Sequence, residues 1–132
     1  MASIFTKIIN GEIPCYKIAE NSNFIAFLDI MPLTKGHTLI VSKKEIDYIF
    51  DHDDDLLSNA LPFAKKVAKA IEIAIPCKRI GVSVIGLEVP HTHIHLLPIN
   101  SLGDMNFSNK KLELETEEMQ AIADKIKKEF IA

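Results

Sequence analysis

Five short stretches of the chain are either continuously hydrophobic or alternate between hydrophobic and polar positions, and both patterns are typical of β-strands. These stretches cover residues 16–19, 24–28, 37–41, 79–85 and 91–98. Asparagine and serine fill the short gap between the first two stretches, which therefore form a predicted hairpin.

A longer amphipathic stretch covers residues 53–75 and predicts a helix. Its apolar residues recur near the 3.6-residue helical period, at Leu57, Leu61, Ala64, Val67, Ala68, Ile71 and Ile75. Asp53 or Asp54 is the expected N-cap, and Pro76 marks the end. Pro62 conflicts with this interpretation, because an internal proline costs a helix about 3 kcal/mol. Since the apolar stripe continues past it, we expect one helix that is kinked there.

A second helix is predicted over residues 116–131, whose apolar face comprises Met119, Ile122, Ala123, Ile126 and Phe130. Residues 4–9 form a predicted short helical turn, whereas residues 99–115 are mixed and polar. The order of strands, helix, strands and helix indicates an α+β fold with a five-stranded antiparallel sheet and two main helices. The length is that of a single domain, residues 1–132.

The last predicted strand carries the most informative pattern in the sequence. Residues 91–97 read His-Thr-His-Ile-His-Leu-Leu, so three of the five histidines alternate strictly. Because successive side chains of a strand point to opposite faces, His91, His93 and His95 are expected in one row, about 7 Å apart. Imidazole accepts protons, binds metals and attacks phosphorus near neutral pH. The row therefore predicts a functional site.

Three interpretations of this row are open from the residues alone. The first is a chance arrangement on a solvated strand face, which the strict alternation disfavours. The second is a metal site, in which two of the histidines bind Zn²⁺ and His37 or Glu88 adds a further ligand. The third is nucleophilic catalysis, in which a neutral imidazole attacks while its neighbours fix its tautomer and bind the charged group under attack.

Composition and charge narrow the class of partner. The formal net charge is −3 at pH 7, which argues against nucleic acid or an anionic membrane, because both favour a basic surface. Residues 51–55 are four aspartates with His52 among them, and this run is interpreted as the solvated start of the long helix in preference to a metal site. Cys15 and Cys77 form no CxxC pair, and the sequence shows no signal-like or membrane-spanning apolar stretch. We therefore expect free thiols and a cytoplasmic location.

The histidine motif and its surroundings resemble a known family. Residues 91–97 match the His-x-His-x-His-x-x signature of the histidine triad (HIT) superfamily, in which the x positions are mostly hydrophobic. Residues 3–14 (SIFTKIINGEIP), 27–32 (FLDIMP) and 35–44 (KGHTLIVSKK) resemble the branch of that superfamily that includes the HINT hydrolases. The resemblance extends over about residues 3–98, in the family's order, and it implies the HIT fold.

The resemblance implies a role for each histidine of the motif and for one outside it. His93 corresponds to the nucleophile that attacks the α-phosphorus and forms a nucleotidyl-histidine intermediate, from which water releases a nucleoside monophosphate. His95 corresponds to the histidine that contacts the phosphate or the leaving group. His91 supports the row, and His37 corresponds to a fourth histidine on a neighbouring strand.

A nucleotide pocket is also implied. Asp29 corresponds to the carboxylate that accepts hydrogen bonds from the ribose hydroxyls, for which two acceptor oxygens are suited. Glu88 and Val89, just before the triad, are assigned to the same site. The wall around the base corresponds to Ile4, Phe5, Ile8, Ile13, Phe27, Leu28 and Ile30. Such a wall stacks a purine without choosing between adenine and guanine.

The chain departs from the family pattern in two places. Ser3 and Thr6 occupy the positions at which many bacterial relatives carry the Cys-x-x-Cys of a zinc site, so we expect neither a metal nor another cofactor. Leu87 and Glu88 replace the usual glutamine and hydroxyl residue before the triad. This replacement removes two expected polar contacts to the phosphate, and a carboxylate near a phosphate repels it unless it turns away or is protonated.

The resemblance thus implies a homodimeric hydrolase of nucleoside 5′-phosphate derivatives, with phosphoramidates such as adenosine monophosphoramidate as the leading substrate class. The dimer is expected to pair through the long helix and the adjacent strand. Three alternatives remain: a dinucleoside polyphosphate hydrolase, a nucleotide-binding protein with vestigial catalysis, and a zinc-dependent protein.

Overall fold

A computed structural model describes residues 2–132. The strands are β1 (Lys17–Glu20), β2 (Phe24–Leu28), β3 (Thr38–Ser42), β4 (Arg79–Ser83) and β5 (His93–Ile99), and the helices are α1 (Ile4–Ile9), α2 (Asp54–Ala74) and α3 (Thr116–Glu129). Short 3₁₀ turns cover Ile49–Asp51 and Leu102–Met105. The strands form one antiparallel sheet in the order β1-β2-β3-β5-β4. The predicted α+β fold is confirmed.

The two faces of the sheet are covered by different helices, and the histidines of β5 lie on one of these faces. Alternate residues of the central strands, such as Ala26, Ile40 and Ile94, pack against α2 and α3 in the main core. On the opposite face a smaller cluster of Phe5, Ile25, Phe27, Leu39 and Val41 packs under α1. Because β5 lies between β3 and β4, its histidines project onto this second face from the interior of the sheet.

Helix α2 continues through Pro62 as one element, as predicted. Asp53 is the N-cap, and its carboxylate accepts the backbone N–H of Leu56 at 2.8 Å. The predicted stripe is wrong at Leu61, whose surface is 64% exposed. The buried face passes instead through Ala60 and Phe63, because the ring of Phe63 stacks on Phe24 of the sheet at 5.9 Å.

The strand boundaries differ from the prediction where pairing ends. The histidine strand begins at His93 rather than at residue 91, since its ladder with β3 starts at the pair Val41 and His93. Just before it, the backbone N–H of Thr92 donates to Ile46 at 2.8 Å, outside the sheet. Strand β4 stops at Ser83 and leaves residues 84 and 85 in the following loop. Helix α3 ends at Glu129, two residues early.

A tight turn at Gly36 leads into β3. Gly36 has a φ of +93°, and a Cβ built there lies 3.1 Å from Pro98 Cγ and 3.2 Å from Ile75 Cγ1. Only glycine combines that backbone conformation with so close an approach. The turn delivers His37 to the first position after it, immediately before β3.

Within residues 2–132, none of the helices combines the length and the apolarity that crossing a bilayer requires.

Candidate active site

A cavity of about 510 Å³ opens on the sheet face that α1 covers, a size that suits a small organic ligand. The proposed nucleotide-binding residues all border it: Ile4, Phe5, Ile8, Ile13, Phe27, Leu28, Asp29, Ile30, Glu88 and Val89. His37, His93 and His95 also line it, whereas His91 does not. The structure therefore gathers three of the four proposed catalytic histidines around a largely apolar pocket.

His93 is held in one tautomer by the main chain. Its Nδ1 lies 2.7 Å from the carbonyl oxygen of His91. A carbonyl oxygen only accepts, so Nδ1 carries a proton, and in the neutral imidazole the unprotonated lone pair is on Nε2. The edge-on ring of Phe5, at 5.0 Å, packs against this imidazole. The geometry leaves His93 with a nucleophilic nitrogen in the pocket.

His95 is held in the opposite tautomer by a chain of two hydrogen bonds. The backbone N–H of Leu33 donates to His37 Nδ1 at 3.1 Å, so the remaining His37 proton is on Nε2. His37 Nε2 lies 2.9 Å from His95 Nδ1 and donates to it. His95 therefore carries its own proton on Nε2. The rings of His93 and His95 are 5.0 Å apart, so an acceptor and a donor stand side by side.

Burial keeps the donor chain neutral. It lowers the pKa of His37 to about 3, and the nearby His95 adds to this effect. It also lowers the pKa of His95 to about 4, with His93 contributing. Both imidazoles thus remain uncharged near neutral pH, as the hydrogen-bond chain requires.

His91, the first histidine of the row, is fully buried and does not line the pocket. Its Nε2 lies 2.6 Å from the carbonyl oxygen of Ser42 and donates to it, so Nδ1 is the acceptor of a 2.6 Å bond from the hydroxyl of Ser3. Ser3 also accepts the backbone N–H of Thr6 as the N-cap of α1. His91 thus links the N-terminus of the first helix to the sheet.

Asp29 lies at the end of β2, beside the histidine chain. Its Oδ1 accepts the backbone N–H of Met31 at 2.8 Å, and its Oδ2 lies 3.6 Å from His37 Nε2. This pair is not an ion pair near neutral pH, because buried His37 is neutral there. Burial raises the pKa of Asp29, against an opposing effect of the Met31 hydrogen bond.

Comparison with known proteins identifies the family. The model of the HIT domain matches residues 10–102. The chain belongs to the HIT family. An uncharacterized HIT-like protein of Borreliella burgdorferi is 36% identical over 93% of this chain and 94% of its own length. The adenosine 5′-monophosphoramidase of Schizosaccharomyces pombe is 34% identical over 96% of both chains. The crystal structure of a HIT-like protein from Bartonella henselae superposes with a TM-score of 0.83, at 31% identity over 97% of this chain and 96% of that one.

Ser3 and Thr6 occupy the positions at which many bacterial HIT relatives carry the two cysteines of a zinc site. The hydroxyl of Thr6 donates to Glu45 Oε1 at 2.5 Å, and the backbone N–H of Ser3 donates to the same oxygen at 2.7 Å. Structural zinc sites take thiolate and imidazole ligands, whereas here two hydroxyl groups replace the thiolates. The side chains at positions 3 and 6 therefore do not fit a structural zinc ion.

A different group of possible metal ligands lies inside the pocket. One ligand atom from each of Asp29, His37 and His95 lies within 4.8 Å of the others. This group includes His37, one of the two further ligands that the sequence suggested for a metal, but it contains one histidine of the row instead of two and does not include Glu88. In the described structure, however, the facing nitrogens of His37 and His95 are already joined by their hydrogen bond.

Sequence reasoning missed two pocket residues in the segment 100–115. Phe107 places its ring edge-on to His95, with centroids 4.8 Å apart, and Lys111 also lines the cavity. Neither residue belongs to an amphipathic period or to a known motif. Their only signal was that an aromatic and a basic residue lie in a polar segment, which is not specific.

Proposed function

We propose that this HIT protein hydrolyses nucleoside 5′-phosphate derivatives at the α-phosphorus, with phosphoramidates as the leading substrate class. The observation that carries the proposal is the pair of complementary tautomers at His93 and His95. A lone pair beside a proton donor suits a reaction in which one nitrogen attacks phosphorus while the next assists the departing group.

The proposed first step is attack of His93 Nε2 on the α-phosphorus. A P–N bond forms to His93, the bond from phosphorus to the leaving group breaks, and the leaving nitrogen takes up a proton from solvent and departs as an amine. His95 Nε2–H is placed to donate a hydrogen bond to that group or to a phosphate oxygen. Water then attacks the nucleotidyl-histidine, releases the nucleoside monophosphate and regenerates the imidazole.

The rest of the pocket supports nucleotide binding. The apolar residues of α1 and β2 offer a surface on which a base can stack. Asp29, whose Oδ1 is already used, offers Oδ2 to a ribose hydroxyl. The phosphoramidase name of the Schizosaccharomyces pombe relative, which matches along almost the whole chain, favours a phosphoramidate as substrate.

The unusual loop before the triad does not oppose this assignment. The side chain of Leu87 is 88% exposed, and Glu88 is also exposed at the rim of the cavity. A carboxylate in solvent repels a bound phosphate far less than a buried one, because water and salt screen the charge. We therefore expect the replacement at Leu87 and Glu88 to change the rate of hydrolysis and the substrate preference, and to leave the nucleophilic role of His93 in place.

The direct test is turnover of a fluorogenic adenosine phosphoramidate in EDTA by the wild type and His93→Ala. We expect turnover by the wild type and a loss of at least about a thousand-fold in the variant, as for other removed nucleophiles. His52→Asn is the matched control, because His52 is a buried histidine that bonds Thr92 on the other side of the same segment, outside the pocket.

Each alternative gives a different result in that assay. Binding of AMP by a wild type that shows no turnover indicates vestigial catalysis. Activity that EDTA abolishes and Zn²⁺ restores indicates a metal held by Asp29, His37 and His95. Faster cleavage of a dinucleoside polyphosphate than of the phosphoramidate would reassign the substrate class.

We further propose a homodimer that pairs through α2 and β4. β4 is at the edge of the sheet, and beside it an apolar groove is lined mainly by α2 residues together with Val82 and Leu96. Leu61 and Val82 there are 64% and 54% exposed. Apolar side chains next to an unpaired strand edge are typical of a contact surface between copies.

A further inference from the structure

The segment between β5 and α3 forms one side of the pocket. Phe107 packs against His95 at 4.8 Å and against His37 at 6.2 Å, both edge-on. The backbone N–H of Leu112 donates to Pro32 at 2.8 Å and anchors the far end of the segment. Lys111 is thus placed at the cavity by contacts on both sides of it.

The ammonium group of Lys111 is held in a defined position. Its Nζ donates to the carbonyl oxygen of Phe107 at 2.7 Å and approaches that of Asn109 at 3.4 Å. An ammonium has three N–H donors, so a donor remains for a ligand. The side chain is half-buried, whereas the neighbouring Lys110 is exposed.

Without the ammonium group of Lys111, the charged side chains that line the pocket within residues 2–132 would include two carboxylates and no lysine or arginine. The carboxylates of Asp29 and Glu88 both line the cavity, and its histidines include His37 and His95, which burial keeps neutral. Among the described lining residues, Lys111 is the one lysine or arginine. A phosphate brings further negative charge into this site, and binding it calls for a fixed positive charge within reach.

The influence of Lys111 already reaches the histidine chain. Burial is the main reason for the lowered pKa of His95, and the electrostatic effects of the neighbouring His93 and Lys111 act in the same direction. Lys111 also lowers the pKa of Asp29, although burial outweighs it. The ammonium is therefore close enough to act on a group bound beside His95.

We propose that Lys111 is a phosphate-binding residue, which holds the anionic end of a nucleoside phosphate against the His93 and His95 pair. The inference rests on the proposed nucleotide site and adds to it the cation that neutralises the phosphate. It assigns this task to the segment after the sheet, in place of the loop before the triad, where Leu87 and Glu88 offer no positive charge.

The test compares binding of AMP with binding of adenosine, which lacks the phosphate, by calorimetry at low and high salt. The informative variant is Lys111→Gln, because its amide can still donate to Phe107 while its charge is gone. We expect it to weaken AMP binding about tenfold and to leave adenosine binding unchanged, as removal of one charge-assisted contact implies. The salt dependence of AMP binding should decrease as well.

Lys110→Gln is the matched control and should bind both ligands like the wild type. Lys111→Arg, which keeps the charge, should restore most of the AMP affinity. Equal weakening of AMP and adenosine by Lys111→Gln would show that the lysine only ties the segment down, and unchanged AMP affinity would also overturn the proposal.

The phosphoramidase assay separates this inference from the proposed function. Turnover by the wild type with unchanged AMP affinity in Lys111→Gln refutes the role of Lys111 alone. AMP binding that depends on Lys111, without turnover, refutes the hydrolase alone. A wild type that binds neither AMP nor adenosine refutes both.

Discussion

At the scale of single residues, the site is defined by where its protons lie. Hydrogen-bond partners place the proton of His93 on Nδ1 and that of His95 on Nε2, although the two side chains are chemically identical. The sequence predicted the row of histidines, but it contained no information on the tautomers. These depend on the carbonyl of His91 and the N–H of Leu33, which only the folded backbone brings into place.

Ser3 is expected to stabilise the fold through two hydrogen bonds at once. Ser3→Ala removes the donor to buried His91 and the N-cap acceptor of α1. We expect the free energy of unfolding to fall by about 2 kcal/mol or more, measured by urea denaturation. Ser3→Thr keeps the hydroxyl and should recover most of this loss. Equal stability of Ser3→Ala and the wild type would contradict the assigned bonds.

The buried histidines predict a loss of stability on acidification. Burial lowers the pKa of His37 to about 3 and that of His95 to about 4, whereas an unfolded histidine titrates near about 6.5. Above this value both states are neutral and the contribution is complete. As the pH falls from about 6.5 to about 4, the unfolded chain takes up protons that the folded chain does not, which costs up to about 1.4 kcal/mol per pH unit for each histidine.

His37→Asn tests this pH dependence. The variant has one buried histidine fewer, so the slope of its unfolding free energy against pH should be smaller than that of the wild type between about pH 6.5 and 4, by up to one proton. Urea denaturation at intervals of pH measures both slopes. Parallel slopes would mean that His37 is protonated in the folded state.

At the scale of elements, turns and loops position the site more than regular structure does. The turn at Gly36 presents His37, the loop after β4 forms the rim, and the segment after β5 supplies Phe107 and Lys111. The strands and helices were predictable from hydrophobic period. The last segment was not, because an irregular backbone leaves no period in the sequence.

Gly36→Ala should destabilise the protein more than Gly11→Ala does. Both glycines have a positive φ, but a Cβ at Gly11 meets nothing within 4 Å, whereas one at Gly36 contacts Pro98 and Ile75 at 3.1 and 3.2 Å. We expect about 1–2 kcal/mol of backbone strain in each variant and a further loss from crowding at Gly36 alone. Equal unfolding free energies of the two variants would show that the packing at Gly36 adapts without cost.

The rim loop should weaken phosphate binding slightly through Glu88. Glu88→Gln removes an exposed negative charge at the cavity, so AMP affinity should rise about two- to threefold at low salt and lose this gain at high salt. Glu113→Gln, an exposed glutamate outside the pocket lining, is the control. A gain in adenosine affinity of the same size would point to altered packing rather than to charge.

At the scale of the whole molecule, the sheet separates the main hydrophobic core from the candidate active site. The helices α2 and α3 cover one face, and the pocket occupies the other. Hydrophobic period predicted the strands and the two main helices, and the family resemblance named ten residues that border this cavity, but neither predicted which face of the sheet the helices cover. The hydrophobic period placed Leu61 in the core, where period alone cannot tell a buried stripe from an apolar surface that awaits a partner.

The exposed position of Leu61 gives a test of the proposed homodimer. Leu61→Glu puts a charge into the groove beside β4 and should shift the mass measured by light scattering from dimer to monomer, because burying an unpaired charge is costly. Ile73→Glu is the control on the same helix, at an equally exposed position outside the groove. A wild type that is monomeric at high concentration would refute the dimer.

The acceptor that fixes the proton of His93 has a consequence for mutation. It is the peptide oxygen of position 91, which every one of the twenty amino acids possesses. No substitution can remove this oxygen, whereas a single substitution at a position such as His37 removes a partner that is supplied by a side chain. The position of the proton on His93 is thus specified by the path of the backbone, whereas the proton position on His95 depends on the side chain of His37 and can be changed by mutation.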